Sequence, residues 1–166
     1  MAGKEAPRPD LPLAFSALLN GSTHAPSLES QLEKELLSAD RVDWLVSFIK
    51  CSGILPLRDA LRRLTDSAPD PGEASQAGAP VLCIATTSYL GATDARAEEF
   101  LAQLPRTELR VSYDTHRTRL HVKAFLFHRG TGFGSAYVGS ANVSRVALDE
   151  GLEWTAKISP YELPHL

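Results

Sequence analysis

The sequence changes character at Pro105. Ahead of it, two short apolar runs, Val42-Asp43-Trp44-Leu45-Val46-Ser47-Phe48-Ile49 and Val81-Leu82-Cys83-Ile84-Ala85, read as buried strands set between segments of helical period. Behind it come four strand-length segments, residues 108–113, 120–127, 136–139 and 153–158. A strand–helix–strand–helix order followed by a run of strands predicts an α/β sandwich, with a mixed β-sheet flanked by helices.

The helical segments carry their own signals. Leu28, Leu32 and Leu36 recur every four residues from Ser27 onward, Leu37 widens the stripe, and Ser30 with Glu33 fits a capping box. Pro56 can open a second helix, whose apolar face is Leu57, Leu61 and Leu64. Thr93 is placed to cap a third, with Ala97, Phe100, Leu101 and Leu104 inward. Residues 1–26 are rich in Pro, Gly, Ser and Ala and read as a flexible lead-in, within which residues 11–19 either dock or form a short helix. Residues 67–79 lack any large apolar side chain and read as a surface loop. Residues 27–166 then form one domain, a length sufficient for a core.

Composition mainly excludes. The longest apolar runs fall far short of the roughly 20 residues of a membrane span, and the prolines and acids of the first 12 residues disfavour a signal peptide. Cys51 and Cys83 form no CxxC pair and read as buried free thiols, consistent with a cytoplasmic protein. The five histidines lack metal-ligand spacing, so neither a metal site nor a cofactor is expected. Net charge is −3, but residues 106–145 hold seven basic side chains against Glu108 and Asp114, a local balance of +5. Strand-edge arginines that keep a sheet soluble would give the same count.

That basic stretch contains the chemistry. If residues 120–127 are a strand, His121 and Lys123 project from one face, about 7 Å apart by strand rise. Gly139-Ser140-Ala141-Asn142 follows the next strand, and alternation again puts Ser140 and Asn142 on one side. Imidazole, ammonium, hydroxyl and amide converging on one spot suit phosphoryl transfer. A neutral imidazole can attack phosphorus while Lys123 and Asn142 hold the nonbridging oxygens, with lysine supplying the cation a metal would otherwise provide.

The order and spacing of His121, Lys123, Gly139, Ser140 and Asn142 resemble the phospholipase D superfamily motif, H-x-K-x4-D-x6-G-S-x-N. The resemblance implies His121 as nucleophile or general acid and Lys123 and Asn142 as phosphate ligands. Glu153 falls where small bacterial nucleases of that superfamily place a glutamate that orients an imidazole. Two departures stand out: His128 occupies the aspartate position, and ten residues rather than six separate it from Gly139. Residues 131–135 read as an enlarged turn, and alternation sets His128 opposite His121, in a supporting position. The segments Val46-Ser47-Phe48-Ile49-Lys50, Thr86-Thr87-Ser88-Tyr89-Leu90-Gly91-Ala92-Thr93-Asp94, Ser112-Tyr113-Asp114 and Leu126-Phe127-His128-Arg129 further resemble the N-terminal domain of certain bacterial DEAD/DEAH-type helicases. No GxxxxGK[ST] occurs, so that resemblance implies a domain of a longer chain whose helicase core binds ATP elsewhere.

Around this centre, Thr87 lies in a strand-to-helix turn of the kind that meets phosphate, or is simply turn structure. Arg117 and Arg119 flank the entry to the motif strand and could grip a nucleic-acid backbone. Tyr89 and Tyr113 could stack on bases, with buried packing the alternative. Since the superfamily's covalent phosphohistidine chemistry needs two histidines and one motif is present, a symmetric homodimer is expected. The leading expectation is a metal-independent phosphodiesterase acting on nucleic acid, DNA before RNA. Its rival is a binding module, without catalysis, that delivers DNA to an attached helicase. Lipid headgroup hydrolysis lacks a membrane-facing apolar or polybasic segment.

Overall fold

The computed structural model describes residues 8–21, 26–66, 79–113 and 120–162. Among them seven strands form one sheet: β1 (Ala17–Leu19), β2 (Arg41–Val46), β3 (Leu82–Thr87), β4 (Thr107–Ser112), β5 (Lys123–His128), β6 (Ser135–Gly139) and β7 (Thr155–Ile158). Their order is β1-β7-β6-β5-β2-β3-β4. The sheet is mixed for a connectivity reason. Helices α2 (Cys51–Ile54) and α3 (Arg58–Asp66) carry the chain from β2 to β3, and α4 (Ala95–Ala102) from β3 to β4. Such crossovers make β2, β3 and β4 parallel neighbours, whereas β5, β6 and β7 pair antiparallel. The expected α/β sandwich with a mixed sheet is what forms.

Two right-handed crossovers stepping in one direction lay their helices on one face. Helix α1 (Leu28–Ser38) joins them there, packed against α3, and the guanidinium groups of Arg58 and Arg62 on α3 lie over the Phe100 ring of α4, each 5.7 Å from its centroid. The strands answer by alternation. Val42, Trp44 and Val46, Leu82 and Ile84, Phe125 and Phe127, and Tyr137 are all buried against the helical layer. Trp44 meets Phe125 and Phe127 meets Tyr137 edge to face, with ring centroids 5.5 and 5.9 Å apart. The leucine stripe Leu28, Leu32 and Leu36 closes the core, each such side chain contributing roughly 2 kcal/mol by burial. On the opposite sheet face, register sets Leu18, Ala156, Val138, Ala124, Leu45 and Ala85 in one row across six strands. Leu18, Leu45 and Val138 of that row are exposed.

Several local expectations shift. Residues 11–19 dock rather than form a helix: Ala17–Leu19 pair with β7, and the Lys157 amine donates to the carbonyls of Pro12 (2.7 Å) and Phe15 (2.8 Å). Ser27, not Ser30, caps α1, its hydroxyl accepting from the Ser30 amide at 3.2 Å. Pro56 sits in the turn between α2 and α3, which begins at Arg58. Asp94, not Thr93, is the N-cap residue of α4, and its carboxylate instead accepts from the Cys51 amide of α2 (2.9 Å) and the Lys50 amine (3.1 Å). Both cysteines are free and half-buried rather than fully buried. No helix among the described residues is long and apolar enough to cross a membrane.

Candidate active site at one edge of the sheet

The site is built where β2 ends, β5 begins, β6 ends and β7 begins. These four termini share one edge because Val46 pairs with Lys123 and Gly139 with Thr155. Lys123 is the first residue of β5 and points to the helical side, only 6% exposed. Burial holds its amine below the ordinary lysine value, and nearby Glu153 draws it back upward. The amine donates to the His121 carbonyl at 3.3 Å.

His121 does not lie in the strand as expected. The ladder with β2 stops at Val46–Lys123, and beyond it the Ser47 hydroxyl donates to the Val122 carbonyl at 3.3 Å. His121 is therefore an exposed residue on the approach to β5, with its ring making no hydrogen bond to a described residue.

The β6–β7 side supplies the rest. Ser140 donates through its hydroxyl to the Glu153 carboxylate and through its amide to the Trp154 carbonyl (3.0 Å), while the Trp154 amide donates to the Ser140 hydroxyl (3.2 Å). Ser140 and Glu153 are thus clamped together. Gly139 makes the clamp sterically possible: a Cβ there would sit 2.1 Å from the Trp154 carbonyl oxygen and 2.7 Å from the Thr155 Cα. It acts by allowing close strand approach, with no side chain of its own to offer a ligand. Asn142 is held from the other side, its Oδ1 accepting from the Phe48 amide at 3.2 Å. The following residue, Val143, bridges Ile49, and Val143 lies against Gly53 of α2 so closely that a Cβ on Gly53 would be 2.5 Å from the Val143 carbonyl carbon. With Oδ1 turned toward the β2 extension, the amide nitrogen of Asn142 is left to donate elsewhere.

Lys123, Ser140, Asn142 and Glu153 therefore share one edge, with His121 at its rim. Two other expected residues, Thr87 and His128, do not join them. Thr87 is buried, and its hydroxyl donates to the Ser112 carbonyl (3.0 Å) and accepts from the Tyr89 amide (3.1 Å), so it fastens the turn after β3. The Thr93 hydroxyl does similar work, donating to the Thr87 carbonyl at 2.7 Å. His128 lies at the opposite end of β5 from Lys123, where its Nε2 hydrogen-bonds Asp43 at 2.7 Å on the open sheet face. Arg117 and Arg119 fall outside the described residues. Tyr113 is 72% exposed at the end of β4, which removes the buried-packing alternative for it.

The basic stretch is also less available than its count implies. Arg129 is buried, donating to Glu35 at 2.5 Å, and Arg110 is paired with Glu108. Sequence reasoning overlooked Trp154, whose backbone completes the clamp. Its only signal was its place next to Glu153. Among the described residues no group of three or more His, Cys, Asp or Glu could hold a metal ion. Chemically, the edge offers one exposed imidazole, one cation poised by burial, one amide donor and a carboxylate steadied by a hydroxyl.

No family model matches the chain, and no curated protein matches its sequence. Solved structures do. NucT from Helicobacter pylori superposes with a TM-score of 0.59 at 16% identity, over 90% of this chain and 87% of that one. Polyphosphate kinase from Porphyromonas gingivalis superposes with a TM-score of 0.56 at 12% identity, over 90% of this chain but 22% of that one. This chain therefore spans less than a quarter of the kinase. At such identities the likeness is one of architecture: the chain adopts the phospholipase D-like fold.

Proposed function

We propose that the chain is a metal-independent phosphodiesterase acting on nucleic acid, in which His121 attacks phosphorus. The carrying observation is the buried Lys123 amine on the same sheet edge as the Ser140–Glu153 clamp and Asn142, with exposed His121 on its approach. In this reading an imidazole nitrogen of His121 forms the N–P bond as the P–O bond to the leaving group breaks. Lys123 and Asn142 hold the nonbridging oxygens, and a second imidazole gives its proton to the departing oxygen. Water then cleaves the N–P bond and restores His121. Lysine supplies the positive charge that a metal would supply in other phosphodiesterases. One chain carries one such histidine, so a homodimer bringing two His121 rings to one phosphate completes the scheme. The fold shared with a polyphosphate kinase, a phosphoryl-transfer enzyme by its name, is in keeping with phosphate chemistry at this edge.

A second reading is favoured by one observation. The motif's acidic position is His128, and it is bound to Asp43 on the open face, away from the site. A site missing that carboxylate could bind nucleic acid without cutting it and pass it to a helicase core in the same longer chain. Cleavage of labelled single- and double-stranded DNA in EDTA, comparing wild type with His121→Ala, separates the two. Cleavage by wild type alone establishes the enzyme. Binding without cleavage by either protein establishes the module.

A further inference from the structure

The turn after β3 ends on two residues, Thr93 and Asp94, that grip the chain just beyond β2. Residues 48–50 continue past the end of the β2–β5 ladder with a neighbour on each side. On one side lies the segment of Asn142: the Phe48 amide donates to Asn142 Oδ1 (3.2 Å), the Val143 amide to the Phe48 carbonyl (3.4 Å) and the Lys50 amide to the Val143 carbonyl (2.7 Å). On the other side lies the turn. The Ile49 amide donates to the Thr93 hydroxyl (3.4 Å), and the Asp94 amide to the Ile49 carbonyl (2.9 Å). Ile49 thus directs both backbone groups to the turn, while Phe48 and the Lys50 amide face residues 142–143.

The Asp94 side chain adds a second grip. Its carboxylate accepts from the Cys51 amide (2.9 Å) and the Lys50 amine (3.1 Å). The Cys51 amide does most to hold this carboxyl below the ordinary aspartate value; burial opposes it and the Lys50 amine assists, so Asp94 is an ionised acceptor at neutral pH. An aspartate at an N-cap ordinarily accepts from the first amides of its own helix. Asp94 makes no such bond with α4. The helix forgoes its cap, and the carboxylate anchors residues 50 and 51 instead.

That anchor bears on Asn142. A carboxamide exchanges its oxygen for its nitrogen by a half-turn, and here the Phe48 amide, a donor, selects the oxygen and leaves the nitrogen to donate outward. A bond of 3.2 Å leaves little slack, since a displacement of roughly 0.5 Å takes it out of hydrogen-bond range.

Resting on the phosphodiesterase reading, we propose that Asp94 is a positioning residue: by anchoring residues 50 and 51 it fixes the Phe48 amide, and through it aims the Asn142 amide nitrogen at a nonbridging phosphate oxygen. It touches no reacting atom itself.

Asp94→Ala, Asp94→Asn, Asn142→Ala and the double variant Asp94→Ala, Asn142→Ala are compared by single-turnover cleavage of labelled DNA in EDTA, with folding checked by denaturant midpoint. Asp94→Ala should slow cleavage at saturating DNA about 10- to 100-fold, the scale of a small misplacement, with little change in half-saturating concentration. Asp94→Asn keeps an acceptor oxygen for the Cys51 amide and should retain most of the rate. Once Asn142 is alanine, Asp94→Ala should add less than about a further 2-fold loss. Should Asp94→Ala not fold, Asp94→Ser, one atom shorter than aspartate and a good N-cap for α4, carries the same expectations. Full activity in Asp94→Ala overturns the proposal. An equal loss with and without Asn142 overturns it too, since Asp94 would then support the fold in general. So does a loss in Asp94→Asn as large as in Asp94→Ala, because charge rather than the anchored backbone would then matter. A second readout needs no turnover. The side-chain amide NMR signals of Asn142, identified by their absence from Asn142→Ala, should move in Asp94→Ala and stay in place in Asp94→Asn; unmoved signals in Asp94→Ala overturn the tether. Absence of cleavage by wild type removes the phosphodiesterase reading, and the amide signals then decide by themselves whether Asp94 sets Asn142.

Discussion

Lys123 shows how one side chain's surroundings set both its usefulness and its cost. Its stem crosses the edge of the core, and burial lowers the amine's proton affinity relative to a free lysine, with Glu153 opposing that effect. Under the phosphodiesterase reading, Lys123→Met keeps the stem's packing and removes the charge. Turnover should fall about 100- to 1000-fold, the usual effect of deleting one preorganised stabiliser of transition-state charge, as read by single-turnover cleavage. The same residue predicts an alkaline limb. Activity should decline as pH rises through a value below the ordinary lysine 10.5, because the neutral amine no longer holds the phosphate. The stability effect runs the other way. Between the folded and unfolded values the unfolded chain binds the extra proton, so this group's contribution to stability rises with pH. Melting curves across that window should show a rising component in wild type that disappears in Lys123→Met. A second pair is open to the same scrutiny. Ser140→Ala and Glu153→Gln each break the clamp, so their effects on rate should combine to much less than the sum of their separate free energies in a double-mutant cycle.

At the scale of elements, the site depends on β6 and β7 closing upon one another, and Gly139 is where that closure is tightest. Gly139→Ala would press a methyl against the Trp154 carbonyl and Thr155, forcing the strands apart. It should cost about 2–3 kcal/mol, measured by chemical denaturation, and should weaken the Ser140–Glu153 contact with it. The elements also show what a sequence makes legible. Alternation and period located α1 and β2 to β7, but not the short β1, since burial on one face imposes a pattern on every residue of a longer element. The expected strand order also put Lys123, Ser140 and Asn142 near one another, and they do lie at the same end of the sheet. What it could not locate was decided by partners distant in the chain. His121 leaves the strand because β2 stops pairing at Val46, and Thr87 is absorbed by Ser112 across the sheet. Trp154 becomes part of the edge only through Ser140, fourteen residues earlier, on an adjacent strand. Such pairings follow from register, which local sequence only partly specifies.

For the molecule as a whole, one buried network joins the layers. The Glu35 carboxylate of α1 is fully buried and accepts from Arg129 at 2.5 Å, just past β5, and from the Tyr137 hydroxyl of β6 at 2.9 Å. Arg129 also donates to the Ser38 carbonyl at 2.9 Å, closing the end of α1 against the sheet. Burial, followed by the adjacent carboxylate, pushes the Tyr137 phenol far above its ordinary range, so that it stays a donor. The arrangement holds a charge in the core only because every part of it has a partner. Arg129→Met fills a similar volume but leaves Glu35 buried without its cation, and breaking such a pair from one side costs about 3–5 kcal/mol. The double variant Glu35→Gln, Arg129→Met carries no stranded charge and should be more stable at neutral pH than Arg129→Met alone. Denaturant midpoints for wild type and these two variants at neutral pH check this directly. If Arg129→Met is as stable as wild type at neutral pH, the helical layer is held by its apolar stripe alone, and the ion pair serves only to set how α1 seats on the sheet.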